Sequence, residues 1–239
     1  MRADSTRRVA DLLIPLAMVL PTLGAWTYLV ALEGSELARP VYLGSKLVQF
    51  SLPVAWWAAV RPHWTEAGLR PKGRGDVLVG LASGLALAAV LAAALALLAA
   101  SPVASEAAAR IRATLDDFRI STPAQYLALA AGLSVVHSLL EEVYWRAFVF
   151  RRLATWLPSR LAVALASAAF ASHHLIVAAR YAPAGRFWTL AVPATAGIAV
   201  AGAHWCDLYR RRGSLLAPWL SHLLVDAALM GMGYVLIWG

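Results

Sequence analysis

The strongest constraint on this chain is the length of its apolar runs, seven of which extend for about 20 residues or more. A run of that length spans the hydrocarbon core of a bilayer as a helix, which satisfies its own backbone hydrogen bonds there. The runs lie at about 9–32, 41–60, 77–102, 123–150, 160–179, 187–206 and 214–238. We therefore predict an all-α fold: a polytopic membrane helix bundle of about seven transmembrane helices, forming a single integral membrane domain over residues 1–239.

The charged residues between these runs predict an orientation. Lys and Arg outnumber Asp and Glu by 8, and such an excess collects in the cytoplasmic loops of membrane proteins. With the N-terminus in the cytoplasm, the cytoplasmic segments hold 13 of these cations and the opposite side holds 6. We therefore predict an N-in, C-out topology. Nothing in the sequence resembles a nucleic-acid-binding motif, so we expect the lipid bilayer, and no nucleic acid, as a partner.

Two patterns concern the arrangement of the helices. Gly80 and Gly84 are four residues apart in the third run, and small residues at this spacing let helices approach closely. We interpret them as a packing face rather than a dimerisation motif. Between about 103 and 122, Ile111, Leu115 and Phe118 recur at helical spacing among charged residues. This segment predicts a short amphipathic helix on the membrane surface.

Ionisable residues inside the runs are the candidates for function, because each costs about 2.5–3.5 kcal/mol at mid-bilayer. Three runs carry them in groups at helical spacing. The fourth holds His137, Glu141, Glu142 and Arg146, the fifth holds His173 and His174, and the seventh holds His222 and Asp226. Polar groups on three separate helices indicate one shared site.

The two adjacent glutamates have different neighbours along the helix. Glu142 and Arg146 are four residues apart and can form an ion pair. Glu141 has no cation at that spacing and instead has His137 one turn before it. A carboxylate left unpaired at membrane depth suits a general base. The alternative is that both glutamates belong to one structural network with Arg146.

Three motifs then give a family resemblance. Residues 141–146 match EExxxR, Phe170 to His174 match FxxxH, and His222 to Asp226 match HxxxN, where Asp is also allowed. Their order on separate predicted helices resembles the CPBP family, which includes CAAX prenyl proteases, bacteriocin-processing and immunity relatives, and bacterial C-terminal sorting proteases. Gly68-Leu69-Arg70 leading to Asp76 is also similar, so the resemblance covers about residues 68–230.

The resemblance implies a glutamic-type intramembrane protease that needs no cofactor. It makes Glu141 the base that activates water, with His174 beside it, and turns His222 and Asp226 toward the oxyanion. An ionised Asp cannot donate a hydrogen bond as Asn can. Asp226 must therefore be protonated or orient His222, and we favour orientation. Supporting roles fall to Glu142, Arg146, Phe170, His137 and His173.

The implied substrate is a membrane-anchored protein or peptide that is cut near its C-terminus. The Ala-, Arg- and Trp-rich composition leads us to expect a bacterial inner (cytoplasmic) membrane. This composition favours a sorting enzyme over one that acts on prenylated tails.

Two other functions remain open from the residues alone. Glu141, His174, His222 and Asp226 could instead be ligands of a zinc-dependent membrane protease, although the HExxH pattern is absent. Buried Glu, His and Asp could also relay protons in a non-enzymatic transporter. That class usually has paired inverted repeats, which we do not see. An immunity protein that kept the motifs is the other non-enzymatic alternative.

Overall fold

The computed structural model describes residues 11–60, 68, 72–101 and 103–239, and its regular structure over these ranges is helical. Eight helices follow one another along the described chain. They are α1 (Leu13–Ala31), α2 (Ala38–Val60), α3 (Arg74–Ala99), α4 (Val103–Asp117), α5 (Pro123–Trp156), α6 (Ser159–Tyr181), α7 (Phe187–Arg212) and α8 (Leu216–Trp238). The predicted all-α membrane bundle is confirmed.

Six of the described helices are long and apolar enough to cross a membrane, namely α1, α3, α5, α6, α7 and α8. The remaining predicted span corresponds to α2, which has 23 residues but is more polar, with Lys46 and Gln49 in its middle. The chain is an integral membrane protein. The N-in, C-out orientation stays a prediction, and part of its charge count, at positions 2, 7, 8, 61 and 70, lies outside the described residues. So do positions 69 and 70 of the family pattern.

Helix α5 is the longest helix and carries the Glu doublet. Thr122 caps its start, since its side chain accepts a hydrogen bond from the Gln125 backbone N–H and the Gln125 side chain reaches back. Two stretches of α5, Gly132–His137 and Val143–Phe150, are wound as π-helix, on either side of the α-helical Ser138–Glu142. Such wide turns are frequent at functional sites. The doublet lies between them.

The Gly pair of α3 packs against α8. A Cβ atom on Gly80 would lie 2.7 Å from the Ala217 carbonyl oxygen, and one on Gly84 would lie 2.8 Å from the Cα atom of Ser221. Only glycine permits this approach without moving α8. The pattern is therefore a packing face within the chain, as predicted, and it holds α8 in place beside His222.

The predicted amphipathic helix is α4. Leu115 on its inner face packs with Tyr126 of α5 and Ile237 of α8. Arg112 donates a hydrogen bond of 2.7 Å to the Ile237 carbonyl oxygen. Helix α4 is thereby fixed against the C-terminal end of α8.

A buried ion pair joins the start of the described chain to the end of α5. Arg152 Nε donates to Asp11 Oδ1 at 2.9 Å, and Trp56 Nε1 of α2 donates to the same oxygen at 3.1 Å. The Arg152 guanidinium also lies over the Trp56 ring, 5.0 Å from its centroid. These contacts tie α1, α2 and α5 together at one end of the bundle.

Candidate active site

The polar groups predicted to share a site come together between α5, α6 and α8. Glu141, Glu142 and Arg146 of α5 are buried, as are His173 of α6 and His222 of α8. His137, His174 and Asp226 lie beside them and are partly exposed. Phe170 of α6 packs in the middle, with ring contacts to His173, His174 and His222. The structure thus brings all nine predicted site residues into one region.

Glu142 joins two helices. Its Oε1 atom lies 2.9 Å from Arg146 Nη1, which is the ion pair that their spacing predicts. The same oxygen lies 2.8 Å from His222 Nδ1 across the interface with α8. Arg146 is 0 % exposed, and its guanidinium lies 4.7 Å from the Phe170 centroid and 5.1 Å from the Trp205 centroid. The Glu142 carboxylate therefore connects α5 to α8 within the site.

His222 is held on three sides. Its ring stacks on Trp205 of α7, with centroids 4.1 Å apart, and Trp205 Nε1 in turn donates to Ser221 Oγ at 3.0 Å. Glu142 faces Nδ1, so that nitrogen carries a proton when the carboxylate is ionised. Nε2 is turned away from Glu142 and lies 3.5 Å from Asp226 Oδ1. The orientation of His222 therefore comes from Glu142 and Trp205, while Asp226 faces the other ring nitrogen.

Glu141 has a different environment. It is 2 % exposed, and its Oε1 atom has no hydrogen-bond partner among the described residues. The nearest ring nitrogens are Nε2 of His173 at 3.6 Å and Nε2 of His137 at 3.9 Å from Oε1, and Nε2 of His222 at 3.8 Å from Oε2. Each distance exceeds that of a direct hydrogen bond. A water molecule placed between these atoms could bond to two of them at ordinary distances.

The two histidines of α6 differ in their surroundings. His173 is buried, lies parallel to the Trp145 ring at a centroid distance of 6.1 Å, and points Nε2 toward Glu141. His174 is partly exposed, and its Nδ1 lies 3.0 Å from the Phe170 carbonyl oxygen. Because a carbonyl only accepts, that Nδ1 carries the proton and leaves Nε2 of a neutral ring as an acceptor. His173 is thus nearer Glu141, and His174 offers the free lone pair.

The four side chains of the zinc alternative are Glu141, His174, His222 and Asp226. Over the described part of the chain, no group of three or more His, Cys, Asp or Glu side chains is arranged to hold a metal ion. These side chains therefore do not form one ligand set in this structure.

The sequence did not indicate the part of the site that α7 provides. Trp205 stacks on His222, and the backbone carbonyl of Gly202 lies 3.5 Å from Arg146 Nη2. A Cβ atom on Gly202 would lie 3.0 Å from the Phe170 ring. No spacing rule links these residues to the motifs, since they lie on a different helix from each of them. The contact between Glu142 and His222 likewise joins positions 80 residues apart.

Comparison with known proteins agrees with the motifs. Residues 123–228 match the family model described as Rce1-like, type II CAAX prenyl endopeptidase. The matched segment runs from α5 into α8 and contains every residue of the candidate site. No curated protein and no solved structure matches the chain significantly. The segment 123–228 thus confirms the predicted resemblance to the CAAX protease (CPBP) family, since it is similar to endopeptidases of the Rce1-like type.

Proposed function

We propose that this protein is a glutamic-type intramembrane endopeptidase in which Glu141 activates a water molecule. The observation that carries the proposal is the contrast between two adjacent carboxylates. Glu142 Oε1 lies 2.9 Å from Arg146 Nη1 and 2.8 Å from His222 Nδ1, although its Oε2 atom has no hydrogen-bond partner among the described residues. Glu141 is buried too, but the ring nitrogens around it lie at 3.6–3.9 Å. A general base needs a free lone pair within reach of water.

His174 is the second acceptor for that water. Its Nε2 carries a lone pair, because Nδ1 donates to the Phe170 carbonyl. A water bonded to Glu141 and to His174 has both of its protons fixed, so its oxygen lone pair is directed at a peptide carbonyl. His173 Nε2 faces Glu141 Oε1 at 3.6 Å and helps to orient the carboxylate electrostatically. His137 lies on the other side of the same oxygen.

His222 stabilises the oxyanion. When the water oxygen bonds to the carbonyl carbon, the carbonyl oxygen gains negative charge and needs donors aimed at it. A His222 ring that is protonated on both nitrogens donates to Glu142 from Nδ1 and to the oxyanion from Nε2. Asp226, 3.5 Å from Nε2, favours that protonated form of the ring. Glu141 then passes the proton it took from water to the leaving amide nitrogen as the C–N bond breaks.

The substrate that fits this site is a membrane-anchored protein, because the catalytic groups lie within a bundle of apolar helices. We propose cleavage near its C-terminus, in a bacterial cytoplasmic membrane and with an N-in orientation. In that setting the enzyme would remove a short terminal segment from a membrane-embedded chain.

The test is cleavage of defined peptides by the purified protein in lipid vesicles. A set of synthetic transmembrane peptides is incubated with the wild type, with Glu141→Gln and with Glu36→Gln, and the products are read by mass spectrometry. Glu36 is exposed in the connection between α1 and α2, so its substitution is the matched control. We expect one discrete product from the wild type and the control, and none from Glu141→Gln. Cleavage by Glu141→Gln at the wild-type rate would overturn the proposal.

A second arm separates the zinc alternative. Activity should persist after divalent metals are removed by a chelator and after dialysis into metal-free buffer. Loss of cleavage on chelation, with recovery when zinc is added back, would favour zinc-dependent hydrolysis over a Glu-activated water alone.

A further inference from the structure

Helices α2 and α5 leave a groove between them beside the candidate site. Its volume is about 510 Å³, within the range of ligand pockets. Its walls are apolar, formed in part by Leu43, Leu47 and Phe50 of α2 and by Leu140 of α5. Its polar lining consists of Tyr42, Lys46, Ser51 and His137. Because His137 lies next to Glu141, this groove leads from the lipid-facing side of α2 toward the catalytic carboxylate.

Lys46 has no carboxylate in ion-pair contact. Its Nζ atom donates to Gln49 Oε1 at 3.3 Å, and no carboxylate of the described residues lies within 4.0 Å of it. The Glu141 carboxylate acts on it only from a longer distance. Gln49 is 2 % exposed, and its Nε2 atom has no acceptor in the described structure. The two side chains therefore offer more N–H donors than there are acceptors nearby. A partly buried cation among apolar side chains is unfavourable without a close anion, so an anionic ligand is the physical explanation that fits.

We propose that Lys46 binds the C-terminal carboxylate of the substrate, with Gln49 positioning the ammonium group. This inference rests on the proposed proteolytic function and adds the feature that the enzyme recognises. The apolar walls accept the side chains of a membrane-embedded peptide, and the single cation among them selects its free terminus. Charge-assisted hydrogen bonds of this kind are about twice as strong as neutral ones.

The contacts between Lys46 and Glu141 limit the length of the released segment. Lys46 Nζ lies 5.7 Å from the Phe50 ring centroid, and that centroid lies 5.7 Å from the His137 ring centroid. His137 Nε2 lies 3.9 Å from Glu141 Oε1. With the radius of the His137 ring added, these steps bound the separation of the ammonium group and the Glu141 oxygen at about 17 Å, which about five extended residues span. A peptide that binds here in extended form therefore loses no more than about five residues.

The experiment uses two peptides that differ only at the C-terminus, which is a free carboxylate in one and a carboxamide in the other. The full-length wild type in vesicles should cleave the carboxylate form about tenfold to a hundredfold faster, the range of a hydrogen bond to a charged group. In Lys46→Met that ratio should fall to near one, and in Lys46→Arg it should be largely kept. Arg39→Met is the matched control, because it removes an exposed cation from the same helix outside the groove and should keep the ratio.

A binding arm separates failure of this inference from failure of the proposed function. Fluorescently labelled forms of the same two peptides are titrated into Glu141→Gln protein, with and without Lys46→Met, so no turnover is needed. Selective binding of the carboxylate form that is lost in Lys46→Met supports the inference even if the wild type cleaves neither peptide. Equal binding and equal cleavage of the two forms would overturn it.

A lipid phosphate is the other anion that Lys46 could meet. The cleavage assay is therefore repeated in vesicles of zwitterionic lipid and in vesicles with an anionic lipid added. The carboxylate preference should be present in both. If the effect of Lys46→Met on the cleavage rate depends on the anionic lipid content and not on the peptide C-terminus, Lys46 binds lipid and the inference is wrong.

Discussion

Glu141 and Glu142 are adjacent in the chain and almost equally buried, yet their surroundings are opposite. Glu142 lies 2.9 Å from a guanidinium nitrogen and 2.8 Å from an imidazole nitrogen. Glu141 is encircled by three imidazole nitrogens at 3.6–3.9 Å, none close enough for a direct bond. A step of one residue turns a helical side chain by about 100°. That rotation is enough to place one carboxylate in the packed interface with α8 and the other among the three imidazole rings.

The difference shows how the protein can keep a reactive group inside apolar surroundings. On the Glu142 side, Arg146 lies over two aromatic rings and neutralises the carboxylate, so this network behaves as part of the core. On the Glu141 side, no Lys or Arg lies in ion-pair contact with the buried carboxylate, which is unfavourable for stability. One carboxylate stabilises the arrangement that the other requires. Substitutions at each position should therefore give distinct losses.

The largest expected effect is on cleavage by Glu141→Gln. An amide has the size of the carboxylate but cannot take a proton from water, so turnover should fall by about 10²–10⁴, the usual contribution of a general base. Folding should be little changed, because no ion pair with a Lys or Arg is lost. Cleavage is measured on one peptide in vesicles and folding by thermal denaturation in detergent. A strongly destabilised but active variant would reverse the roles of the two glutamates.

The second largest loss of activity should follow substitution of His174, which tests the proposed surroundings of Glu141. His174→Ala removes the second acceptor for the water and should lower the rate about 10²-fold or more. His173→Ala removes only a group that orients Glu141 and should keep substantial activity. Rates of both variants on the same peptide check this. The reverse order would mean that His173, the ring nearer Glu141, contacts the water.

Glu142→Gln tests whether the ion pair between Glu142 and Arg146 stabilises the fold. Breaking a buried ion pair costs about 3–5 kcal/mol, because the remaining charge is left unpaired. We expect a lower midpoint of thermal unfolding and reduced activity, since His222 also loses its Nδ1 partner. The double variant with Arg146→Met removes the stranded charge and should recover part of the stability, though not the activity. A stable, fully active Glu142→Gln protein would contradict the ion-pair argument.

Substitutions of Asp226 should have the smallest effect on the cleavage rate, and the size of the effect should depend on the new side chain. Asp226→Asn keeps the size and some hydrogen bonding but removes the charge beside His222 Nε2, so the rate should fall without reaching zero. Asp226→Ala should fall further, up to about the 10²–10³ typical of losing an oxyanion donor. Turnover of both variants is compared with wild type. Higher activity of Asp226→Asn would mean that this side chain acts as a donor to the oxyanion itself.

Much of this picture could be predicted because it depends on local spacing. Apolar runs predict helices, and a separation of four residues predicts the contacts of Glu142 with Arg146 and of His222 with Asp226. The Gly80 and Gly84 face could be predicted for the same reason, although its partner helix could not.

The rest depends on contacts between distant segments. Glu142 meets His222 only because α3 and α7 hold α8 at a particular height and rotation, and no pattern within one helix contains that information. The stacking of Trp205 on His222 follows from the same packing. The orientation of His222 by Asp226 stays a prediction: Asp226 lies 3.5 Å from Nε2, and Glu142, which the spacing did not link to His222, lies 2.8 Å from Nδ1.

The two π-helical stretches of α5 are shorter along the helix axis than α-helical stretches with the same number of residues. Gly132–His137 and Val143–Phe150 lie on either side of the Glu doublet, so the helix ends can stay anchored while the middle is rotated. The direction in which Glu141 and Glu142 point therefore depends on the number of residues in each π-helical stretch. Deleting one residue between Glu142 and Arg146 would turn Arg146 by about 100° relative to Glu142 and would separate the two charges.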